Sequence, residues 1–356
     1  MKTPLTVGLF FGGRSAEHEV SITSAKAVYD NLNPAAFRAV CIFIDKNGRW
    51  SEVPSPRESA ERLARGPFHS FLPWENGGGS APVTADVYWP VLHGPGGEDG
   101  TIQGLLELAD VPYVGAGVLG SAMSMDKAVM KEIFRSRGLP VVASEVVLEP
   151  EALRAPRDVA RRIRGKLKLP LFVKPANLGS SVGITKVKTW NGLGPAMKTA
   201  FRYDRKILVE QGVACRELEC AVLGNDRPEA SILGEVIPGN EFYDYADKYL
   251  EDKTGFILPA ALPAGIAARA RRLAVDAFLA CEAAGMARLD FFLEKKTRRL
   301  FLNEINTIPG FTAISMYPKL WAASGIPFPE LVDRLIRLAL ERHRIKKRCW
   351  DRGGEK

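Results

Sequence analysis

The stretch LFLNEINTIPGF, residues 300–311, places a carboxylate and an amide two residues apart at the end of an apolar run. Side chains alternate across a β-strand, so Glu304 and Asn306 would point to one face. Just upstream, ARLDFFLE places Arg288 and Asp290 in the same relationship. The pattern predicts two neighbouring strands with one polar face. The residues predicted on the opposite, apolar face are Leu289, Phe291, Leu293, Phe301 and Ile305.

The polar face of these strands could bind a metal ion. Asp290, Glu304 and Asn306 would offer three oxygen ligands on adjacent strands joined by the turn EKKTRR, and Mg²⁺ prefers carboxylate and amide oxygens together with phosphate oxygens. An exposed, salt-bridged strand face would explain the same pattern. The NTIPG that follows favours the metal site, because a Pro-Gly turn can bring a backbone N–H close to a ligand.

Length and composition predict a soluble, multidomain globular protein. A chain of 356 residues suggests two or three domains, and 46% hydrophobic with 25% charged residues is typical of globular proteins. No apolar run approaches the roughly 20 residues that span a bilayer. The beginning, MKTPLTVGLFFGG, predicts a buried strand rather than a signal peptide. The five cysteines have no metal-ligand spacing, which indicates reduced thiols in a cytoplasmic protein.

The positive charge of the chain is partly local. The net charge is +8, and the tail ERHRIKKRCWDRGGEK contains seven Lys or Arg but three Asp or Glu. A solvated helix end explains this tail, and an anionic small substrate explains the remaining excess as well as RNA would. Nucleic-acid binding stays an alternative that depends only on this tail and the pI of about 9.2.

The first 120 residues predict an open parallel α/β sheet. LTVGLFFGG, RAVCIFID and DVYWPVLHG are apolar runs typical of buried parallel strands. SITSAKAVYDNL and DGTIQGLLELAD have helical spacing between them. Residues 51–85 are rich in Pro, Gly and Ser and predict a surface excursion.

The remainder of the chain is richer in β-strands. GVLGSAMSMDKAVMKEIFRSRGLP predicts one long helix, and AGIAARARRLAVDAFLACEAAG predicts another. The strands predicted between these helices are LPLFVKP, GITKV, KILVEQGV, RELECAVLG and ASILGEVIPG.

Further segments of the sequence suggest ligand contacts. In VKPANLGSSVGITKV, Lys174 ends a predicted strand and a Gly/Ser-rich turn follows it. The N–H groups of this turn could hold phosphate. A plain glycine hairpin explains the motif equally well. Glu210 and Glu217 lie at strand ends, where an adenine edge or ribose hydroxyls could bind.

GGRSAEHEVS and LHGPGGEDG follow strands of the first domain, so Glu17 and His93 become candidates for substrate contacts. FFGGRS would also suit a dinucleotide-binding loop and hence an oxidoreductase, but it lacks the full G-x-G-x-x-G pattern.

Taken together and in order, seven motifs resemble those of the D-alanine–D-alanine ligase family of the ATP-grasp superfamily. They are GGRSAEHEVS, LHGPGGEDGTIQG, SMDK, FVKPANLGSSVGI, FYDYADKYL, ARLDFF and NEINTIPGFTAISMYPKLW. The resemblance implies an α/β (α+β) protein with the ATP-grasp fold. An N-terminal open parallel α/β domain (1–120) would precede a central lid domain (121–212) and a C-terminal domain (213–356), and the two β-rich domains would clamp ATP.

The resemblance also implies a set of ATP and metal contacts. The residues that would contact ATP are Lys127, Lys174, Ser180, Ser181, Glu210, Val213, Glu217 and Lys248. Of these, Glu210 would accept from the adenine amino group and Glu217 would bind ribose. Two Mg²⁺ ions, for which Mn²⁺ could substitute, would be held by Asp290, Glu304 and Asn306.

The substrates implied by the resemblance are two molecules of D-alanine. Glu17, in a hydrogen-bonded group with Ser180 and Tyr249, would bind the ammonium of the first, with His93 nearby. Arg288 and the Gly310 N–H would stabilise developing negative charge. The residues that would hold the carboxylate of the second D-alanine are Ser315 and the Met316 backbone, with Lys248 near this carboxylate and the transferred phosphate.

The implied reaction is ATP-dependent ligation through an acyl phosphate, for peptidoglycan precursor synthesis. GNEFYDYADKYLEDKTGF is polar, aromatic and bounded by glycines, which suits a cover over that intermediate. Tyr249 favours an amine acceptor, and D-lactate or D-serine as acceptor is the alternative. The family further implies a cytoplasmic homodimer that binds neither nucleic acid nor membrane.

Overall fold

We describe the fold from a computed structural model, which covers residues 3–58, 62, 84–237 and 255–346. The strands are β1 (Leu5–Gly12), β2 (Phe37–Ile44), β3 (Trp50–Val53), β4 (Val87–Val91), β5 (Ser144–Leu148), β6 (Leu171–Pro175), β7 (Thr185–Val187), β8 (Lys206–Gln211), β9 (Cys215–Gly224), β10 (Glu229–Ile237), β11 (Gly255–Ile257), β12 (Gly285–Glu294) and β13 (Leu300–Asn306). The helices are α1 (His18–Asp30), α2 (Thr101–Leu108), α3 (Val118–Met125), α4 (Lys127–Ser136), α5 (Glu149–Arg154), α6 (Pro156–Lys166), α7 (Leu193–Phe201), α8 (Ala264–Ala280), α9 (Met316–Ala323) and α10 (Phe328–Lys346).

The first sheet has the strand order β3-β2-β1-β4 and confirms the predicted open parallel α/β unit. Strand β1 lies between β2 and β4 and is parallel to both. The structure adds the short antiparallel edge strand β3, which begins the segment predicted as a surface excursion. Trp50 of this strand packs edge-on against Phe10, with ring centroids 5.2 Å apart. The excursion prediction was therefore wrong at residues 51–53, because they pair with β2.

Two antiparallel sheets follow the first one. The central sheet has the order β5-β8-β6-β7, and the third has the order β11-β10-β9-β12-β13. All the strands predicted between the two helices are present. The three sheets agree with a three-part organisation, while the boundaries at 120 and 212 stay a prediction.

The segment predicted as one long helix forms two helices, α3 and α4. The break occurs at Asp126, whose backbone is extended (φ −80°, ψ 100°). The Asp126 carboxylate accepts hydrogen bonds from the N–H groups of Ala128 and Val129, both at 3.1 Å, and so caps α4. An aspartate that caps the second helix competes with continuation of the first, which is why the prediction was wrong.

Strands β12 and β13 pair as the polar pattern predicted, with one correction. Asp290 lies opposite Glu304, but a bulge follows and brings Phe291 opposite Leu302. Phe301 consequently pairs with Phe292, on the face opposite to the one predicted. A β-bulge inserts one extra residue and reverses the alternation beyond it. The remaining residues predicted on the apolar face are buried: Leu289, Phe291, Leu293 and Ile305.

Helix α10 joins the two ends of the chain. Leu331, Leu335 and Ile336 are buried in the same apolar cluster as Val7 and Leu9 of β1. This packing fixes the third sheet against the first. The polar face of β12 and β13 is then directed towards the region between the sheets.

The carboxyl-terminal turns of α10 also bond to the first unit. Arg342 lies over the Tyr113 ring at 4.3 Å and donates to the Tyr113 carbonyl at 3.1 Å, and Lys346 forms an ion pair with Glu107. Part of the basic tail is therefore engaged within the chain. Within the described ranges, no helix has the length and apolar character needed to cross a membrane.

Candidate active site

A cavity of about 830 Å³ lies where residues from the three sheets approach one another. Its walls bring together most of the substrate and metal residues predicted from the sequence. The predicted residues that line it are Glu17, His93, Lys127, Ser180, Arg288, Glu304, Asn306, Gly310, Ser315 and Met316. The polar end of the β12–β13 pair therefore lines this cavity.

Glu17 connects the first unit to the Gly/Ser-rich turn after β6. The Ser180 hydroxyl donates a hydrogen bond to Glu17 Oε1. Gly94 leaves room for this carboxylate, because a Cβ at Gly94 would lie 2.8 Å from Glu17 Oε2. The result is a fixed carboxylate at the cavity wall, suited to an ammonium group.

His93 is buried and holds two loops together. Its Nδ1 lies 3.0 Å from the Ile308 carbonyl, and its Nε2 lies 3.1 Å from Ser24 Oγ. Ser24 Oγ in turn accepts from the Phe311 N–H at 3.2 Å. Burial lowers the pKa of His93, although Glu17 opposes the shift. A neutral imidazole that donates from Nδ1 fits these contacts and orients the loop that carries Gly310.

Arg288, which lines the cavity, is held by two carboxylates. Its Nε and Nη2 donate to the two oxygens of Asp290, both at 2.7 Å, and Nε lies 3.3 Å from Glu219 Oε2. Burial would lower the pKa of Arg288, but Asp290 and Glu219 outweigh it and raise the pKa. The guanidinium is permanently charged and rigidly placed.

The predicted metal residues share one end of the β12–β13 pair. Asp290 faces Glu304 in the strand ladder, and Arg288 faces Asn306. Glu304 Oε2 lies 3.7 Å from Lys127 Nζ. Two carboxylates and one amide are oxygen donors that fit Mg²⁺, and Lys127 beside them fits an anionic phosphate. Among the described residues, no group of three or more His, Cys, Asp and Glu suits a metal ion. Glu304 and Asn306 line the cavity, whereas Asp290, whose two oxygens accept from Arg288, is not among the lining residues.

Gly310 and Ser315 are in close contact on the opposite wall. A Cβ at Gly310 would lie 2.7 Å from Ser315 Oγ. Ser315 Oγ accepts from the Thr312 N–H at 3.0 Å. Ser315 is the residue that immediately precedes helix α9. The α9 N-terminus beginning at Met316 therefore faces the cavity with backbone N–H groups suited to a carboxylate.

A buried charge cluster lies outside the walls of this cavity, between β6, β8 and α4. Lys174 Nζ donates to Glu210 Oε1 at 3.2 Å, and Lys131 Nζ lies 2.9 Å from Glu210 Oε2. Burial would raise the pKa of Glu210, but the two lysines outweigh it and lower the pKa. Glu210 is thus an ionised acceptor, as its predicted adenine contact requires.

The other residues predicted to contact the nucleotide belong to the central and third sheets and to the turns beside their strands. Ser180 and Ser181 have left-handed backbones, with φ of 51° and 58°, in the turn between β6 and β7. Val213 lies between β8 and β9, and Glu217 lies on β9 opposite Phe292 of β12. The predicted residues Lys248 and Tyr249 lie outside the described residues.

Three charged residues near the site were missed by the sequence analysis. Glu98 lines the cavity, and burial together with Glu17 raises its pKa to about 8. It stands within the quoted motif LHGPGGEDG, so its position after a strand could have identified it. Glu219 follows Glu217 by one strand period, which places both on one face of β9. Lys131 follows Lys127 by four residues on α4, the spacing of one helix face.

Two antiparallel sheets with lysines and carboxylates between them, set against an open parallel sheet, define this protein as one of the ATP-grasp class. The chain belongs to the D-alanine–D-alanine ligase family. The family described as "D-ala D-ala ligase N-terminus" matches residues 6–116, and "D-ala D-ala ligase C-terminus" matches residues 133–337. Membership favours a ligase over the oxidoreductase that FFGGRS left open.

Relatives resemble the chain along nearly its whole length. It is 52% identical to the D-alanine–D-alanine ligase of Solibacter usitatus, covering 96% of this chain and 98% of the relative. It is 48% identical to the D-alanine–D-alanine ligase of a Thermoanaerobacter species, covering 97% and 99%.

Two solved structures have the same fold. The D-alanine-D-alanine ligase from Coxiella burnetii has a TM-score of 0.84 at 38% identity, covering 96% of each chain. The VanG D-Ala:D-Ser ligase from Enterococcus faecalis has a TM-score of 0.82 at 32% identity, covering 95% of this chain and 100% of that one.

Proposed function

We propose that this chain joins two D-alanine molecules into D-alanyl-D-alanine, at the expense of ATP, for peptidoglycan precursor synthesis in the cytoplasm. One observation carries the proposal: a single cavity presents the carboxylate of Glu17, the guanidinium of Arg288 and the carboxylate of Glu304. These groups match, in turn, an ammonium, a developing oxyanion and a metal-bound phosphate.

The first D-alanine binds through its ammonium group. Glu17 accepts from this ammonium, and Ser180 fixes the orientation of the carboxylate. His93 holds the adjacent loop through Ser24 and Ile308. The carboxylate of the substrate is then directed towards Arg288 and the metal residues.

A carboxylate does not react with an amine at neutral pH, so it must first be activated. Transfer of the γ-phosphoryl group of ATP to the D-alanine carboxylate gives an acyl phosphate and ADP, and this step needs mainly positioning and charge neutralisation. Bound Mg²⁺ supplies part of that neutralisation at the phosphate oxygens. Asp290, Glu304 and Asn306 would hold two such ions, and Mn²⁺ suits the same oxygen donors. Lys127, 3.7 Å from Glu304, adds a fixed positive charge.

The second D-alanine attacks the acyl phosphate. Ser315 and the Met316 N–H hold its carboxylate, so that its amine reaches the activated carbon. Arg288 and the Gly310 N–H stabilise the tetrahedral oxyanion, and phosphate leaves as the amide forms. Lys248 and Tyr249, in the segment proposed to cover the site, would complete the phosphate contact and favour an amine acceptor.

Phosphate release across a panel of amino and hydroxy acids tests this proposal. We expect release that requires both D-alanine and Mg²⁺, with D-alanyl-D-alanine as the product. Activity with L-alanine instead, or none with D-alanine, would contradict it. Replacing the acceptor by D-serine or D-lactate tests acceptor choice, and a preference for D-lactate would contradict the role given to Tyr249.

The assembly proposed for the chain is a homodimer without a nucleic-acid or membrane partner. Sedimentation gives its mass directly, and a monomer would contradict it. Removing residues 347–356 should leave ligation unchanged. Loss of an RNA-binding activity on that removal would favour the nucleic-acid alternative.

A further inference from the structure

Lys131 is a fully buried lysine that the ligation mechanism does not use. Its exposed fraction is 0%, and that of Glu210 is 2%. Burying a single ammonium group is costly unless a carboxylate compensates it. Lys131 Nζ lies 2.9 Å from Glu210 Oε2, which provides this compensation.

The position of Lys131 relates it to the nucleotide. It lies on the same face of α4 as Lys127, one helical turn further along. Lys127 is directed to the cavity and donates to the Leu178 carbonyl at 2.8 Å. Lys131 is directed instead towards β8, beneath the residue proposed to contact adenine.

We propose that Lys131 is a positioning residue that selects a 6-amino purine, because it holds Glu210 as an ionised and therefore obligate hydrogen-bond acceptor. The inference deepens the proposed function and rests on its assignment of Glu210 to adenine. Each oxygen of Glu210 has one lysine contact and a remaining lone pair. An ionised carboxylate can accept from the amino group of ATP but cannot donate to the 6-oxo group of inosine triphosphate (ITP).

The surrounding charges support this role. Lys131 of α4 and Lys174 of β6 face Glu210 directly, and Cys215 of β9 lies within its electrostatic reach. Arg135, one turn beyond Lys131, acts on Lys131 itself: burial, Lys174 and Arg135 lower the pKa of Lys131, whereas Glu210 raises it. Burial raises the pKa of Glu210, whereas both lysines lower it. Loss of Lys131 would leave burial opposed by Lys174, so the pKa of Glu210 would rise and a protonated, donating form would appear.

The decisive variant is Lys131→Met, a substitution of similar length without charge. We would measure kcat/KM for ATP and for ITP by phosphate release, with saturating D-alanine and Mg²⁺, from about pH 6 to about pH 9. We expect a high, pH-independent ATP/ITP ratio in the wild type. In Lys131→Met the ratio should fall about tenfold at the acidic end and recover as pH rises, because a mismatched buried hydrogen bond strongly discriminates against the wrong partner. Equal loss for both nucleotides at every pH would overturn the inference and leave Lys131 a structural residue.

Lys206→Met is the matched control. Lys206, four residues before Glu210 on β8, forms its ion pair with Asp126, the residue that caps α4. Its removal should leave the ATP/ITP ratio at the wild-type value. The same fall in Lys206→Met would trace the effect to general loosening of α4 and overturn the inference.

Lys131→Met can fail to fold, because it leaves a buried carboxylate with one fewer partner. The double variant Lys131→Met/Glu210→Gln removes both members of the pair and keeps a neutral amide. An amide can donate or accept, so its ATP/ITP ratio should approach one and stay constant with pH. A ratio like that of the wild type would overturn the inference, since Glu210 would then not contact the base.

Calorimetric affinities for ATP and ITP without D-alanine separate this inference from the proposed function. A wild type that releases no phosphate with D-alanine contradicts the function, while its nucleotide affinities still test Lys131. An active wild type whose affinity ratio is unchanged by Lys131→Met contradicts only the inference.

Discussion

The Ser180 hydroxyl donates to the Glu17 carboxylate, which lies 163 residues earlier in the chain. Ser180 belongs to the turn between β6 and β7, and Glu17 precedes α1 of the first unit. The hydrogen bond therefore fixes the carboxylate proposed to bind substrate and, at the same time, the turn proposed to bind phosphate. The backbone at Ser180 is left-handed, with a φ of 51°. Two variants distinguish the effect of losing the hydroxyl from the effect of this backbone conformation.

We predict that Ser180→Ala and Ser180→Gly both lower kcat/KM for the first D-alanine by about tenfold, the size of one lost charge-assisted hydrogen bond. Glycine relieves the left-handed backbone, whereas alanine does not. Steady-state kinetics of both variants, at saturating ATP, gives the comparison. A large loss in Ser180→Ala with full activity in Ser180→Gly would assign the effect to backbone strain instead.

Glu304→Gln should abolish phosphoryl transfer while the fold survives. The substitution keeps the shape of a half-buried side chain that lines the cavity but removes the charge of a proposed metal ligand. We expect phosphate release to fall by at least about a hundredfold and to require more Mg²⁺. Titration of activity with Mg²⁺ measures the effect, and circular dichroism checks the fold.

Glu294→Gln is the control for this prediction, because Glu294 lies at the far end of β12 beside the turn. It should keep wild-type metal dependence. Near-normal turnover in Glu304→Gln, with an unchanged Mg²⁺ requirement, would contradict the metal assignment.

Local periodicity was enough to predict the polar end of the third sheet. Arg288, Asp290, Glu304 and Asn306 alternate with apolar residues, and alternation depends only on strand geometry. The face predicted for Phe301 was wrong because of the bulge after Asp290. A bulge depends on how two strands pair, and the periodicity of a single strand carries no information about that pairing.

Contacts between distant segments were less accessible from the sequence. Glu17 and Ser180 were paired only through the family resemblance, since nothing in either motif specifies the other. The contact of Lys131 with Glu210 was missed because a lysine on an amphipathic helix is usually exposed. Burial by the adjoining sheet reverses that expectation, and burial is a property of the assembled fold.

Gly310→Ala should weaken binding of the second D-alanine more than the first. A Cβ at this position would lie 2.7 Å from Ser315 Oγ, so Ser315 must move from its place before α9. We expect KM for the acceptor D-alanine to rise about tenfold or more, with a smaller change in KM for the donor. Initial rates over a wide range of D-alanine concentrations resolve the two constants.

Gly104→Ala serves as the control, because a Cβ at this position of α2 would meet no described atom within 4 Å beyond the backbone of its own helix. Alanine is the better helix former, so this variant should be as active and slightly more stable. An equal effect of both substitutions on KM would contradict the proposed contact between Gly310 and Ser315.

Glu98→Gln should change how stability depends on pH. Burial, reinforced by the charge of Glu17, raises the pKa of Glu98 from 4.5 to about 8. Between these values the folded chain keeps a proton that the unfolded chain releases, so the free energy of unfolding falls as pH rises. Glutamine cannot ionise, yet it can still accept from the Gly94 N–H that donates to Glu98 Oε2 at 2.9 Å. We would measure the free energy of unfolding by urea at about pH 6 and about pH 8. Between these pH values, the free energy of unfolding of the wild type should fall by about 2 kcal/mol more than that of Glu98→Gln. A difference between the two proteins that stays constant over this range would mean that Glu98 is already ionised in the folded chain.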